Sequence, residues 1–274
     1  MKKALCILTC FNRKAKTQNC IRTIAEYNPG IDFSFVVVDD NSNDGTKEML
    51  ADLQKEYSLF VIDGDGSLFY SGGMRRGMAY ALEHLETDFD FLLMVNDDVE
   101  FLPGTIEAMT EQSVERHGAV IVGAMKDEED RHSYGAIKYT RSYRYRQVGI
   151  DEWDLTADTF NANCVLIPYR AFHECGPIDN HYVHSLGDFD YGLALKRHGF
   201  KIYTSRNYCG ICNKNSDKGT WLDKNMGRIK RLLLKENVKG APLKQWFYFL
   251  KKNFGLIPSV LGSISPYIRI MLGK

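Results

Sequence analysis

Two pairs of adjacent carboxylates in this chain follow directly on apolar runs. Asp39-Asp40 follows Phe33-Ser34-Phe35-Val36-Val37-Val38, and Asp97-Asp98 follows Phe91-Leu92-Leu93-Met94-Val95-Asn96. Such a run reads as a strand buried on both faces, as in a parallel sheet. The acids then fall where the strand leaves the core, at the edge where open α/β sheets bind ligands. Asp97 and Asp98 would repel each other unless something cationic lay between them, and a divalent metal with oxygen ligands meets that need economically. A strand followed by a solvated acidic turn explains the pair alone equally well. Further on, residues 181–190 are rich in His and Asp and contain His184, Asp188 and Asp190.

The elements that must carry these residues alternate. The spacing predicts a strand over 3–9, a helix over 14–27 stopped by Asn28-Pro29-Gly30, and a strand over 33–38. A short helix over 47–56, a strand over 58–62, a Gly-rich segment over 63–73 and a helix over 74–85 lead to the run at 91. Strand and helix alternating at roughly thirty residues per unit is the pattern of a parallel, helix-covered α/β sheet. Each of the first four strands ends in polar residues: Thr9 to Asn12, Asp39 to Asn41, the 63–67 loop, and Asn96 to Asp98. Loops are often polar, which explains any one of these ends. Four in succession, two with an acid pair, favour a nucleotide site. Beyond Pro103 the pattern weakens: a helix over 105–117, strands over 119–125 and 159–167, a Tyr- and Arg-rich ribbon over 138–147, a helix over 191–199 and a strand over 201–204.

At 274 residues, 44% apolar and 26% charged, the composition is that of an ordinary globular protein. Its formal net charge of zero hides an asymmetry, because residues 214–274 hold thirteen Lys and Arg against three Asp and Glu, a tail of +10 on a body of −10. Such a body argues against nucleic acid as a partner, and such a tail suits an anionic surface. Residues 243–254 put Trp246, Phe247, Phe249 and Leu250 beside Lys244, Lys251 and Lys252, as in a helix lying in a membrane interface. Packing on the body or on a second subunit, as in a homo-oligomer, is the alternative. The stretch over 254–272 is apolar but broken by Pro258 and Pro266. The first ten residues read as a strand, with too short an apolar run for a signal peptide. Seven scattered cysteines fit a reducing cytoplasm, and Cys209-x-x-Cys212 reads as packed thiols ahead of a zinc site.

The segment Val36-Val37-Val38-Asp39-Asp40-Asn41-Ser42-Asn43-Asp44-Gly45-Thr46 closely resembles the Val-Asp-Asp-x-Ser-x-Asp-Gly-Thr signature of family 2 glycosyltransferases, inverting enzymes with the GT-A fold. Rhamnosyl, galactofuranosyl and capsule-type polysaccharide transferases belong there. Asn96-Asp97-Asp98 stands where that family carries its Asp-x-Asp-type metal motif, and residues 66–77 look like its Gly- and Asn-rich segment. Asn161-Ala162-Asn163 and residues 184–191, followed by Lys196, Arg197 and Gly199, resemble its acceptor side. The resemblance covers roughly residues 3–212.

It implies a GT-A catalytic domain over 1–213, with a nucleotide-sugar half over 1–100 and an acceptor half over 101–213, and a basic helical tail over 214–274. It puts Asp40 on the nucleotide base, Thr9 and Asn12 near base and ribose, and Asp39 at the same strand end. Gly72 and Gly73 would allow close backbone approach, and Arg75 or Arg76 would reach a phosphate. Asn96 and Asp97 would adjoin a divalent metal, Mn2+ or Mg2+, held by Asp98 on the diphosphate of a UDP or dTDP sugar. Asp188 would be the general base, with Asp190 as understudy, and Asn161, Asn163 and His184 would face the acceptor. The expected reaction moves a sugar to a glycan or lipid-linked acceptor for surface polysaccharide, at the inner face of the cell membrane. Two features depart from the family. Gly187 stands where Glu is usual, and no histidine follows His198 to complete the metal site. A non-catalytic nucleotide-sugar-binding protein or scaffold is one rival. A sugar-nucleotide pyrophosphorylase is a weaker one, since Phe11-Asn12-Arg13-Lys14 lacks the glycines its loop would need.

Overall fold

A computed structural model describes residues 1–85, 88–141 and 143–274. The first half is β1 (Lys2–Cys10), α1 (Lys14–Glu26), β2 (Ile31–Asp39), α2 (Thr46–Leu53), β3 (Ser58–Asp63), α3 (Phe69–His84) and β4 (Phe91–Val95). Its strands lie in the order β3-β2-β1-β4, all parallel. Apolar side chains on both faces of these strands require cover on both sides. Ala4, Cys6 and Leu8 of β1 pack toward Ile21, Ile24 and Leu50 of α1 and α2, while Leu5 and Ile7 pack toward Met74 and Met78 of α3. All five residues of β4 are buried, as its uninterrupted apolar run predicts.

The second half adds β5 (Glu100–Phe101), α4 (Thr105–Glu115), β6 (Val120–Lys126), β7 (Ala136–Arg141), β8 (Arg144–Gln147), β9 (Thr156–Ala157), β10 (Thr159–Phe160), β11 (Cys164–Pro168), α5 (Tyr169–Cys175), α6 (Gly187–Arg197) and β12 (Ile202–Ile211). The sheet continues β4-β11-β6-β12-β5, with β11 antiparallel to both neighbours and β9 pairing β12. The strand expected over 159–167 is therefore two: β10 joins a small sheet with β7 and β8, and β11 enters the main one. Asn161-Ala162-Asn163 cross between them. Ser142, inside the ribbon expected over 138–147, lies outside the described residues.

Two helices begin earlier than their local sequence suggests, and both shifts concern the site. α3 starts at Phe69 and takes Gly72 and Gly73 into its first turns. Glycine is a poor helix former, but here closeness demands it. A Cβ on Gly73 would meet Thr9 Oγ1 at 2.3 Å, and one on Gly77 would meet Ile7 Cγ2 at 2.7 Å. Gly73 and Gly77 are thus packing residues, and Gly72 and Gly73 are not among the residues that line the cleft described below. α6 starts at Gly187, so Asp188 and Asp190 are in its first turn rather than in a loop.

The tail forms α7 (Arg228–Lys235), α8 (Leu243–Phe254) and α9 (Leu256–Met271). The membrane-interface reading of 243–254 fails for α8, because its apolar face is turned onto the body. Phe249 and Leu250 are buried, and Trp246 stacks on Phe249 at 5.7 Å. Charge fixes the dock: Lys252 Nζ donates to Asp179 (2.7 Å) and Asp190 (2.6 Å), and Asn253 Nδ2 donates to Asp190 (2.8 Å). α9 is continuous despite its prolines. Pro258 occupies the first turn, where a missing N–H forfeits no intrahelical bond, and Pro266 is accommodated inside.

The approach of α3 to β1 yields a prediction. Gly73→Ala forces a methyl into Thr9 and should cost about 1–3 kcal/mol, read as a lower urea midpoint. An unchanged midpoint would mean that α3 is free to shift.

Candidate active site

The carboxyl ends of β1, β2 and β4, the start of α6 and the tail enclose a cleft of about 670 Å³, within the range of small-ligand sites. Of the residues singled out from the sequence, Thr9, Asp40, Asn96, Asp97, Asp98, Asn161, Asn163, His184 and Asp188 all line it. The remaining candidates lie elsewhere, each for a visible reason.

Asp40 is a backbone organiser. Its Oδ1 accepts from the amides of Gly66 (2.9 Å) and Leu68 (3.3 Å), and its Oδ2 from Phe69 (3.0 Å). A carboxylate there satisfies amides at the start of α3 and complements its dipole. Asp39 and Asn12 hold loops together instead of facing the cleft. Asp39 accepts from Ser42 N at 3.1 Å, and Asn12 Oδ1 accepts from Asn43 N at 2.8 Å. Arg76 is exposed on α3, within electrostatic reach of Asp65. Arg75 is structural, donating to the carbonyls of Tyr182 (2.9 Å) and Asp179 (3.3 Å). Asp190 is consumed by Lys252 and Asn253 of α8 and faces a separate cavity.

The cation that the Asp97–Asp98 pair requires is present in the chain itself. Arg13 Nη1 lies 2.9 Å from Asp97 Oδ1 and 2.9 Å from Asp98 Oδ2. Thr17 Oγ1 adds a bond to Asp97 at 3.2 Å. Burial pushes the Asp97 carboxyl up to about 6 in spite of Arg13, with Asp98 adding to the rise. Arg13 was not picked out from the sequence. A lone arginine in a polar loop has no periodic signature, although its place just beyond β1 puts it at the same sheet edge.

No group of three or more His, Cys, Asp or Glu able to hold a metal occurs among the described residues. Two carboxylates nevertheless fit the kind of ion that is bound by one or two acids together with substrate phosphates and water. Asn96 Oδ1, buried without a partner at the same strand end, is a further oxygen donor. Where the family's histidine would follow, Cys212 and Asn213 line the cleft. Burial and the nearby Asp98 push the Cys212 thiol up to about 11.

Asp188 is set deep in the cleft, partly open to it. Its oxygens accept from Phe189 N (2.9 Å) and Ala162 N (3.3 Å), and no cation among the described residues pairs with it. Burial raises it to about 6 against the pull of those amides. Tyr70 and Tyr145 stand close enough to feel its charge. Leu186, just before, holds a left-handed φ of 72°, uncommon for a bulky residue and a mark of strain at a site. Gly187 also has a cause: a Cβ there would meet Ser71 Oγ at 2.4 Å, leaving no room for the Glu usual at this place. His184 is kept neutral, its pKa lowered to about 4 by burial and then by Lys239 and Arg13, and its Nδ1 is buried without a partner. Tyr134, Lys239 and Trp246 complete the walls from segments distant in sequence.

Residues 5–176 match the family described as Glycosyl transferase family 2. No curated relative matches the chain. Among solved structures, S. aureus TarS 1–349 in complex with UDP-GlcNAc superposes with a TM-score of 0.57 at 15% identity, over 98% of this chain and 81% of that one. The mannosyltransferase PcManGT from Pyrobaculum calidifontis, in complex with GDP-Man and Mn2+, gives 0.61 at 13% identity, over 98% of this chain and 70% of that one. At such identities the likeness is one of fold, and the shared fold is GT-A.

A half-buried carboxylate with a raised pKa predicts its own pH signature. Asp188 binds its proton more tightly folded than unfolded, so its favourable contribution is complete below pH about 4 and is lost as pH rises through about 6. Asp188→Asn should therefore melt higher than the wild type at pH 8, with the gain vanishing at pH 4. A difference independent of pH would show that Asp188 is not the group being strained.

Proposed function

This chain belongs to glycosyl transferase family 2 and is a glycosyltransferase; from that premise we propose that it inverts the anomeric centre of a nucleoside-diphosphate sugar while passing the sugar to a hydroxyl of a glycan or lipid-linked acceptor. The observation that carries the reading is Asp188, a carboxylate raised to about 6 in the same cleft as Asp40 and the Asp97–Asp98 pair. A base with that pKa is largely ionised at neutral pH yet still able to take a proton.

In the proposed arrangement the donor lies along the ends of β1, β2 and β4. Asp40 and Thr9 border the nucleotide, and Arg13 and Lys239, cations of the cleft, attract its diphosphate. Asp98 and Asp97 would hold a divalent ion, which supplies positive charge to the departing nucleoside diphosphate. Asp188 accepts the proton of the acceptor hydroxyl as its oxygen forms the new bond to the anomeric carbon. The bond from that carbon to the phosphate oxygen breaks on the opposite face, so the configuration inverts. His184, neutral, and Asn161 and Asn163 offer hydrogen bonds to the acceptor without adding charge. One structural neighbour holds a uridine diphosphate sugar and the other a guanosine diphosphate sugar. For this chain we propose a UDP or dTDP donor and Mn2+ or Mg2+. The product would be surface polysaccharide made at the inner face of the cell membrane, with the basic tail holding the enzyme there. Seven free cysteines accord with a reducing compartment.

A thermal-shift panel of nucleoside-diphosphate sugars with and without manganese tests the donor and the metal together. One UDP or dTDP sugar should raise the melting temperature more with manganese than without, and Asp98→Asn should erase that difference while remaining folded. For the cognate donor and acceptor, kcat/KM should rise through an acid limb near pH 6, and Asp188→Asn should lower transfer roughly 10²–10⁴-fold with donor binding intact. Transfer retained in that variant would assign the base elsewhere.

A further inference from the structure

The tail helices α7 and α9 are built inside out. α9 turns its small residues inward: Ser259, Gly262 and Ser263 are buried, and a Cβ on Gly262 would meet Leu250 Cδ1 of α8 at 2.6 Å. Its outward side carries Ile257 (74% exposed), Leu261 (62%), Ile264 (50%), Ile268 (52%) and Met271 (54%), spaced four and three residues apart in one stripe. α7 repeats the inversion. Arg231 and Lys235 are buried, Arg231 donating to the carbonyls of Trp221 (2.8 Å) and Lys274 (2.9 Å), while Ile229 and Leu233 face out. A surface helix ordinarily does the reverse. An aliphatic stripe of this extent marks a surface that something covers.

We propose that the outward faces of α7 and α9 dock onto an anionic lipid bilayer, lying in its interface. Charge selects this occupant. Arg228 and Lys230 flank Ile229, Arg269 and Lys274 flank the end of the stripe, and all four are exposed. Two of the three acids in the tail are engaged locally, Glu236 by Tyr267 and Asp223 by the amides of Gly219 and Asn225. A second copy seated on this face would bring the same cations against it, and self-complementary contacts cannot relieve such repulsion. The stripe also spans only about two heptads, short of the three or four of a coiled coil. No helix among the described residues is long and apolar enough to cross a membrane. A 16-residue α9, about 24 Å long, suits an in-plane position with its apolar side sunk roughly 5–10 Å. The body, at −10, is repelled by the same headgroups, which orients the molecule tail-down.

This surface adjoins the cleft. Trp246 Nε1 donates to Gly262 O at 3.0 Å, binding α8 to α9, and Trp246 and Lys239 line the cleft. The inference deepens the membrane part of the proposed function and rests on that part of the reading, replacing α8 with α7 and α9 as the contacting elements.

Co-sedimentation with vesicles tests it. Phosphatidylcholine vesicles with about one-third phosphatidylglycerol should pellet the full chain at physiological salt, and pure phosphatidylcholine should bind at least about tenfold more weakly. Ile257→Ser/Leu261→Ser/Ile264→Ser should reduce binding to the anionic vesicles at least about tenfold while leaving the melting temperature and the donor-induced shift unchanged. A wild-type chain left in the supernatant overturns the proposal. So does a triple variant that still pellets fully, which would leave attraction by charge alone, and so does wild-type self-association abolished in the triple variant, which would assign the face to a second copy. A donor-induced shift retained alongside any of these confines the failure to the membrane surface, and its absence would fail the transferase reading instead.

Discussion

The site depends on one constraint: two carboxylates at the end of a fully buried strand must be neutralised. β4 has no polar residue before Asn96, so Asp97 and Asp98 leave the core abruptly and one of them stays inside it. Arg13 answers from the end of β1, one strand away, with Thr17 assisting from α1. The parallel order β2-β1-β4 makes this possible, because it brings β1 beside β4 with both strand ends at the same edge. Removing either partner of such a pair leaves a poorly solvated charge, which is why the arrangement ties the β1–α1 junction to the β4 end. The guanidinium also lines the cleft, so the same side chain that neutralises the acid pair contributes to its wall.

Helix α3 then sets the distance between the two halves of the cleft. Its start is held by Asp40, its Gly73 and Gly77 let it lie against β1, and its Ser71 Oγ donates to His184 O at 2.7 Å. Arg75 carries the same contact on to the carbonyls of Asp179 and Tyr182. The glycines are therefore not loose hinges. They let α3 lie close enough to β1 to join Asp40 to the segment bearing Asp188 through one helix.

Much of this was legible in the residues. Val36-Val37-Val38 and Leu92-Leu93-Met94-Val95 read as buried strands, and the strand–helix alternation brings the acids at their ends to one edge of a parallel sheet. What was not legible depended on contacts between distant segments. Gly72 and Gly73 read as loop because local propensity disfavours glycine in a helix, and only the nearness of Thr9 reveals the need for Gly73. Trp246 and Phe249 alternate with lysines in a way that suits a lipid surface as well as a protein body, and the deciding group, Asp190, is more than fifty residues away. Lys239 and Tyr134 reach the cleft from segments with no motif of their own.

The division of labour between Asp188 and Asp190 follows from helix geometry. As loop residues the two carboxylates would be interchangeable candidates for the base. In the first turn of α6 they are two residues apart, about 200° around the axis, and cannot face the same way. Asp188 points into the cleft, where backbone amides attend it and burial raises its proton affinity. Asp190 points to the tail, where Lys252 and Asn253 hold its carboxylate. The same turn of helix thus supplies a cleft-lining acid on one side and an anchoring acid on the other. The tail is fastened next to the chemistry, and whatever surface it meets is fixed in position relative to the cleft.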